Sequence, residues 1–305
     1  MDKAAVVILH YKDEENTRKC LDSLQKEYFR DGSFKTIVVC NGLCNNFCLT
    51  LPRDYPQIHT IENQKNLGFA EGNNVGIRKA LNFGCEYIVL LNNDTVVGAD
   101  LIKNLVSFAK SDASIGLLSP KIYFSPGFEF HKNRYEEKDK GKVLWYGGGI
   151  IDWQNIYATH RGVDEVDRKQ YDKGQETDFV TGCCMLIKKS VIDKIGLFDS
   201  KYFLYYEDVD YSIRTARQGL KVVYYPKAHL WHKNASSSGS PGSPLHVYYQ
   251  TRNRLYFGYK YASLMTKKSL FFESLKMIIK GGIQKKACLD YYSGKMGKAN
   301  IDNIL

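Results

Sequence analysis

No apolar run in this chain approaches the roughly 18 residues that cross a bilayer. The opening Met1-Asp2-Lys3 and the short run Ala4 to Leu9 have neither the length nor the cleavage site of a signal peptide, so a cytoplasmic protein without a spanning segment is expected. No repeat period is visible and no nucleic-acid motif is recognised. The eight Cys include none of the paired CxxC spacings of a zinc site. Cys40, Cys44 and Cys48 recur every four residues, but His59 is in a separate segment, so reduced thiols are expected. The vicinal Cys183 and Cys184 read as small packing residues. Acidic residues are scarce at one end: from Leu245 to Leu305 there are 11 Lys and Arg against three Asp and Glu, a surplus of eight out of the chain's +10. Such a surface suits nucleic acid, anionic lipid or an acidic substrate, and charge alone does not choose among them.

What is present is the composition of a folded protein: 305 residues, 44% hydrophobic and 25% charged. The first third alternates strand-like segments (Ala5–Leu9, Phe34–Cys40, Gln57–Ile61, Tyr87–Leu91) with segments of helical periodicity (Glu14–Phe29, Gly72–Phe83). That alternation predicts an α/β layer with a largely parallel sheet, whose ligand lies beyond the carboxyl ends of the strands. His10-Tyr11, Cys40-Asn41-Gly42 and Asn92-Asn93-Asp94 should then share one rim. Asn66 to Gly76 is a Gly/Asn-rich turn entering a helix, which fits either backbone amides approaching a phosphate or a plain helix start. Ser125 to Lys142 reads as a solvent-facing excursion, and Ala235 to Pro244 as a flexible linker or lid.

The densest chemistry lies between Gly196 and Tyr211, where aromatic residues surround Glu207, Asp208 and Asp210. Desolvated neighbouring acids raise one another's pKa, which suits a general base; acids at a helix start also simply stabilise the macrodipole. Trp231-His232 follows the strand-like Lys221–Tyr225, and a lone His of this kind is as readily structural as functional.

Taken in order, Val6–Tyr11, Val38–Gly42, Asn66–Ala70, Leu91–Thr95, Thr181-Gly182, Gly196–Asp199, Glu207–Asp210 and Trp231-His232 resemble family 2 glycosyltransferases of the A-type (GT-A) fold, closest to the rhamnosyltransferase-like and galactofuranosyltransferase-like branch. The resemblance implies a Rossmann-like nucleotide-diphospho-sugar transferase with a divalent cation, Mn2+ or Mg2+, and inversion at the anomeric carbon. It implies that Asp94, ending the counterpart of the family's Asp-x-Asp, and His232 hold the metal, that Asp208 is the base and that Glu207 orients base or acceptor. By the same resemblance His10, Tyr11, Cys40, Asn41, Asn66, Gly68, Asn73, Asn92, Asn93 and Gly182 surround the donor. Cys40 stands where an Asp commonly reads the base, so Asn41 or a backbone group would take over.

The domains expected are a GT-A unit over 1–234 (nucleotide half about 1–95, acceptor half about 96–234), the linker 235–244 and a basic, mainly helical extension over 245–305. dTDP-L-rhamnose is the first donor expected, a UDP-hexose or UDP-galactofuranose the alternative, and a cell-surface glycan or polyprenyl-diphosphate-linked acceptor the other substrate. A basic nucleic-acid-binding protein, with Tyr248, Tyr249, Tyr256, Phe257, Tyr259 and Tyr261 among Arg252, Arg254, Lys260, Lys267 and Lys268 stacking on single strands, is the remote alternative. In Ser269–Ile283 the residues Leu270, Phe271, Leu275, Ile278 and Ile279 fall at helical spacing, predicting a helix that packs on the catalytic unit, forms an oligomer interface or rests on an anionic membrane.

Overall fold

The computed structural model describes residues 3–31, 34–42, 44, 46–234 and 242–300, with 27–31 and 132 as backbone only. Its strands are β1 (Ala4–His10), β2 (Phe34–Asn41), β3 (Ile58–Asn63), β4 (Tyr87–Asn92), β5 (Thr95–Val97), β6 (Ile115–Phe124), β7 (Leu144–Tyr146), β8 (Gly149–Asp152), β9 (Tyr157–His160), β10 (Gln175–Glu176), β11 (Cys184–Lys188) and β12 (Lys221–His232). Its helices are α1 (Glu14–Asp31), α2 (Phe47–Asp54), α3 (Gly68–Asn82), α4 (Leu101–Ser111), α5 (Lys189–Ile195), α6 (Glu207–Ala216), α7 (Pro244–Tyr261), α8 (Leu264–Lys280) and α9 (Gly282–Tyr292). Two 3-10 turns, Lys132–Arg134 and Glu137–Asp139, interrupt the polar excursion after β6.

One mixed sheet organises the molecule in the order β10-β12-β6-β11-β4-β1-β2-β3, with β5 on β12 and β7 on β6. β3, β2, β1 and β4 are parallel, and β11 runs antiparallel between β4 and β6. Helices cover both faces, so the central strands are apolar throughout: Ala5, Val6, Val7 and Ile8 of β1 and Ile88, Val89 and Leu90 of β4 are all fully buried. The register sets the rim. His10 pairs with Cys40, Asn41 with Asn63 and Leu9 with Asn92, so the carboxyl ends of β1, β2, β3 and β4 finish side by side.

β12 exceeds the expected Lys221–Tyr225 and runs on to His232. A register shift between Tyr225 and His229, spanning Pro226, lets the strand continue past a residue that cannot donate to the ladder. This brings Trp231 and His232 back beside Val96 and Thr95 of β5. A second departure concerns the thiols. Cys40 and Cys48 form a disulfide, with Cα atoms 6.3 Å apart, because α2 folds Cys48 back beneath the end of β2. Cys20, Cys44, Cys85, Cys183, Cys184 and Cys288 are buried.

The extension is joined to the catalytic unit by a common core: Ile151, Ile156, Phe179, Tyr202, Tyr206 and Val209 pack with Leu255, Phe257, Leu270 and Cys288. Residues 235–241 of the expected linker or lid lie outside the described residues. α7 begins with Ser243 accepting from His246 N at 3.3 Å and Pro244 at its first turn. α8 begins under a similar cap, Ser263, five residues earlier than expected, and ends at Gly281, whose φ of +89° favours glycine. Tyr248, Tyr249, Phe257 and Arg252 are in the interior and Arg254 is paired with Glu273 at 2.8 Å, so these five of the residues that suggested base stacking are spent on packing, while Tyr256, Tyr259 and Tyr261 are partly buried against the same core.

Candidate active site

Asp94, in the turn between β4 and β5, and His232, at the end of β12, face each other with Nε2 of the imidazole 3.1 Å from Oδ1 of the carboxylate. Both are buried, and His232 Nδ1 has no hydrogen-bond partner. The Trp145 ring lies edge-on to His232 at 4.6 Å and to His160 at 4.3 Å, fixing the imidazole from behind. No cluster of three or more His, Cys, Asp or Glu able to hold a metal occurs among the described residues. The Asp94–His232 pair nevertheless fits a divalent cation whose other ligands are oxygens of a diphosphate and water, because a buried carboxylate oxygen and the imidazole Nε2 converge on one point.

Asp208 opens α6 on the same rim. Gly182 N donates to its Oδ2 at 2.9 Å and Val209 N to its Oδ1 at 2.8 Å. Desolvation pushes its pKa above the ordinary carboxylate value, and the two amides pull it back toward the ionised form. Glu207 beside it is deeply buried, and its Oε2 has no partner. Burial first, then the charge of Asp208, holds its pKa well above the ordinary range. Both carboxyls are thus held above the ordinary range, and Asp208 has in addition the amides of Gly182 and Val209, which favour its ionised form. Asp210 faces away: it is wholly buried and accepts from Arg214, Lys260 and Tyr261 at 2.7 Å each, tying α6 to α7.

The expected donor residues divide in two. His10, Asn93 and Tyr11 gather at the end of β1. His10 Nδ1 lies 2.8 Å from Thr17 Oγ1, its ring stacks on Phe47, and burial lowers its pKa to about 4, so it is neutral. Asn93 donates to Thr17 Oγ1 and Lys12 O at 2.9 and 3.1 Å, while Tyr11 is exposed. Asn92, half-buried, donates its backbone N–H to Cys183 O at 2.9 Å, which sets Gly182 close by. The second group is occupied within the protein. Cys40 is fully buried and bonded to Cys48, so the rim receives only its backbone. Asn41 donates to Asn66 Oδ1 and Gly68 O and accepts from Leu67 N and Asn63 Nδ2, all within 3.2 Å. Asn73 donates to Phe69 O.

Amides that looked open to a phosphate are likewise taken. Gly68 N donates to Asn66 Oδ1 at 2.8 Å, while Phe69 N and Ala70 N donate to Phe203 O at 2.6 and 3.4 Å. Gly68 has φ +80°, and a Cβ there would sit 2.4 Å from Phe203 O, so only glycine permits this approach. Phe203 belongs to the segment leading into α6, in which Phe203, Tyr205 and Tyr206 all take left-handed φ of 64–72°. Bulky residues in that region cost about 1–3 kcal/mol each, and strain of this kind gathers where the surroundings over-determine the backbone. Sequence reasoning missed Phe203, Trp145 and the amide partners of Asn41, because a side chain that only supports another leaves no mark of residue type.

The family model described as "Glycosyltransferase like family 2" matches residues 2–258. Among curated relatives, the low-salt glycan biosynthesis hexosyltransferase Agl10 of Haloferax volcanii is 24% identical over 83% of this chain and 75% of its own. The N-acetylglucosaminyl-diphospho-decaprenol L-rhamnosyltransferase of Mycobacterium tuberculosis is 24% identical over 82% of each chain. Other relatives carry rhamnosyl- and galactofuranosyltransferase names. Among solved structures, GalNAc-T7 with UDP, GalNAc and Mn2+ superposes with a TM-score of 0.59 at 14% identity, covering 81% of this chain and 47% of that one.

Proposed function

Because the chain belongs to the family 2 glycosyltransferases and has their GT-A fold, we propose that it transfers a hexosyl unit, with inversion, using Asp208 as base and the Asp94–His232 pair as metal ligands. The observation that carries this reading is the meeting of that pair and the amide-held Asp208 at one rim of the sheet. Asp208 removes the proton of the acceptor hydroxyl as the oxygen attacks the anomeric carbon, and the bond to the diphosphate breaks on the opposite face. Of the two neighbouring carboxyls, Asp208 is the one held by the amides of Gly182 and Val209, which suits it to the role of the ionised base. Gly182 accommodates the Phe69 ring, which a Cβ there would meet at 2.8 Å, and gives its N–H to Asp208. Asp94 and His232 would hold a Mn2+ or Mg2+ ion, whose positive charge would ease departure of the diphosphate.

dTDP-L-rhamnose is the donor to test first, with UDP-galactofuranose, UDP-galactose and UDP-glucose as alternatives; a rhamnosyltransferase among the relatives supports that order. With Asn41 occupied, base recognition falls to backbone groups, so uridine and thymidine nucleotides compete closely. The acceptor we favour is a polyprenyl-diphosphate-linked sugar. A panel of these donors with Mn2+ is read by thermal shift and by transfer to such an acceptor. One donor should raise the melting temperature, and chelator should cancel both the shift and turnover. Full activity in excess EDTA would remove the metal role.

The outer face of α8 supports a peripheral membrane contact that would bring the enzyme to such an acceptor. Leu270, Ser274, Met277 and Ile278 turn inward, whereas Leu264 and Ile279 are each 85% exposed and Phe271, Phe272 and Leu275 stand out beside them. Lys268 and Lys276 lie on that same outer face. Apolar side chains ringed by lysines are the chemistry of a helix lying in the headgroup layer of an anionic membrane. Among the described residues no helix is long and apolar enough to cross a membrane.

A further inference from the structure

The 201–206 segment leads straight into Glu207 and Asp208, and its left-handed course leaves several carbonyls pointing away from any regular ladder. Two neighbouring side chains of α7 collect them. Asn253 Nδ2 donates to Tyr202 O, Leu204 O and Tyr205 O at 2.8, 2.7 and 2.9 Å. Arg252 Nη2 donates to Tyr202 O and Lys201 O at 3.2 and 3.4 Å, its Nη1 to Gly297 O at 2.8 Å, and its Nε to Asn253 Oδ1 at 3.1 Å. Both side chains are wholly buried. Of the two remaining carbonyls, that of Tyr206 accepts from Asp210 N at 2.9 Å in the first turn of α6, and that of Phe203 turns the other way to the start of α3, so one segment is held on its donor side by α3 and on its base side by α7. A planar amide and a planar guanidinium hold several acceptors in fixed directions, which a flexible ammonium does not.

We propose that Asn253 and Arg252 are positioning residues of the transfer reaction: by fixing the 201–206 backbone they set where Asp208 meets the acceptor hydroxyl. The inference rests on the reading of Asp208 as the base. Displacement of a reacting group by about 1 Å costs on the order of 100-fold in rate, so a small relaxation of this segment is enough to be seen.

The test compares Asn253→Ala and Arg252→Lys with wild type and with Asp208→Asn, in the full chain. Melting temperature, nucleotide-sugar affinity with Mn2+, acceptor KM, kcat per folded molecule and the pH profile of kcat are measured for each. Asn253→Ala should lose about 10- to 100-fold in kcat with donor affinity kept within about threefold, and the acidic limb of its pH profile should move. Arg252→Lys, which keeps charge and stem, should show a weaker form of the same split and stands in if Asn253→Ala does not fold. A kcat per folded molecule within about twofold of wild type, with only the melting temperature lowered, would show that α7 is packing alone and overturn the proposal. Transfer retained in Asp208→Asn would instead overturn the base and this proposal with it; transfer lost there but unchanged in the α7 variants overturns positioning alone.

Discussion

Two adjacent carboxyl groups at the first turn of α6 have unequal surroundings, and the inequality assigns their work. Asp208 has two amide donors; the outer oxygen of Glu207 has none. An acid whose folded pKa is raised binds more protons folded than unfolded, so stability falls as pH rises from the unfolded pKa toward the folded one. For Glu207 that window begins near its ordinary value of 4.5 and extends upward. Glu207→Gln should therefore melt progressively higher than wild type as pH is raised from about 5 to about 8, and parallel melting curves across that range would remove the buried neutral acid. The acidic limb of kcat should lie above the ordinary carboxylate range, because Asp208 must ionise to act and desolvation raises its pKa. A limb at or below the value for a free aspartate would mean that Asp208 is more solvated than its place in the cleft implies. Asp94, Asp208 and His232 were picked out through the resemblance of their motifs to the family, since residue type alone left Asp208 open to a helix-start role and His232 to a structural one. The role of Asn41 was not legible: an amide closing four hydrogen bonds and an amide reading a base are the same letter.

Elements were legible where burial is simple and obscure where two demands overlap. The strands β1, β2 and β4 announce themselves as largely apolar runs covered on both faces, and the rim residues follow from where those runs stop. β12 hides its second half because Pro226 interrupts the pattern, although the strand resumes beyond the register shift and delivers His232. In α8 the apolar positions form one continuous stripe in the sequence, yet the helix divides them, Leu270 and Ile278 against the core and Leu264, Phe272 and Ile279 outward. Spacing cannot separate a face that packs from a face that waits for a partner. Each basic residue near an anionic surface adds up to about 1 kcal/mol, so the two lysines of the outer face and their neighbours on α8 and α9 add usefully to the apolar contact. Wild type should sediment with anionic vesicles and release with salt. Leu264→Glu with Ile279→Glu should abolish binding while leaving transfer to a water-soluble acceptor analogue intact. Equal binding to neutral and anionic vesicles would dismiss the electrostatic part of this contact.

At the scale of the whole molecule, the extension that reads as an appendage packs directly behind the segment that leads into Glu207 and Asp208. Asp199 and Asp210 flank the 201–206 segment on the catalytic side, and Tyr256, Lys260 and Tyr261 reach them from α7. Tyr202, Tyr206 and Val209 share their core with Leu255 and Phe257. A chain ending at residue 243 would lose Asn253 and Arg252 and leave three left-handed aromatic residues, at about 1–3 kcal/mol each, with little to oppose their relaxation. That sum is a large part of the 5–15 kcal/mol that stabilises an ordinary domain. The sheet does not depend on α7 in the same way, since its central strands are buried by α1, α3 and α4 and by one another. Truncation should thus lower the melting temperature sharply, broaden the transition and abolish transfer even in molecules that keep the secondary structure of the sheet and its flanking helices by far-ultraviolet circular dichroism. Cooperative melting with transfer near the wild-type level would mean that the 201–206 segment holds its own shape. The expected abolition also dictates how membrane contact is measured: removing the extension would lose binding and activity together, and only substitutions on the outer face of α8 can separate them.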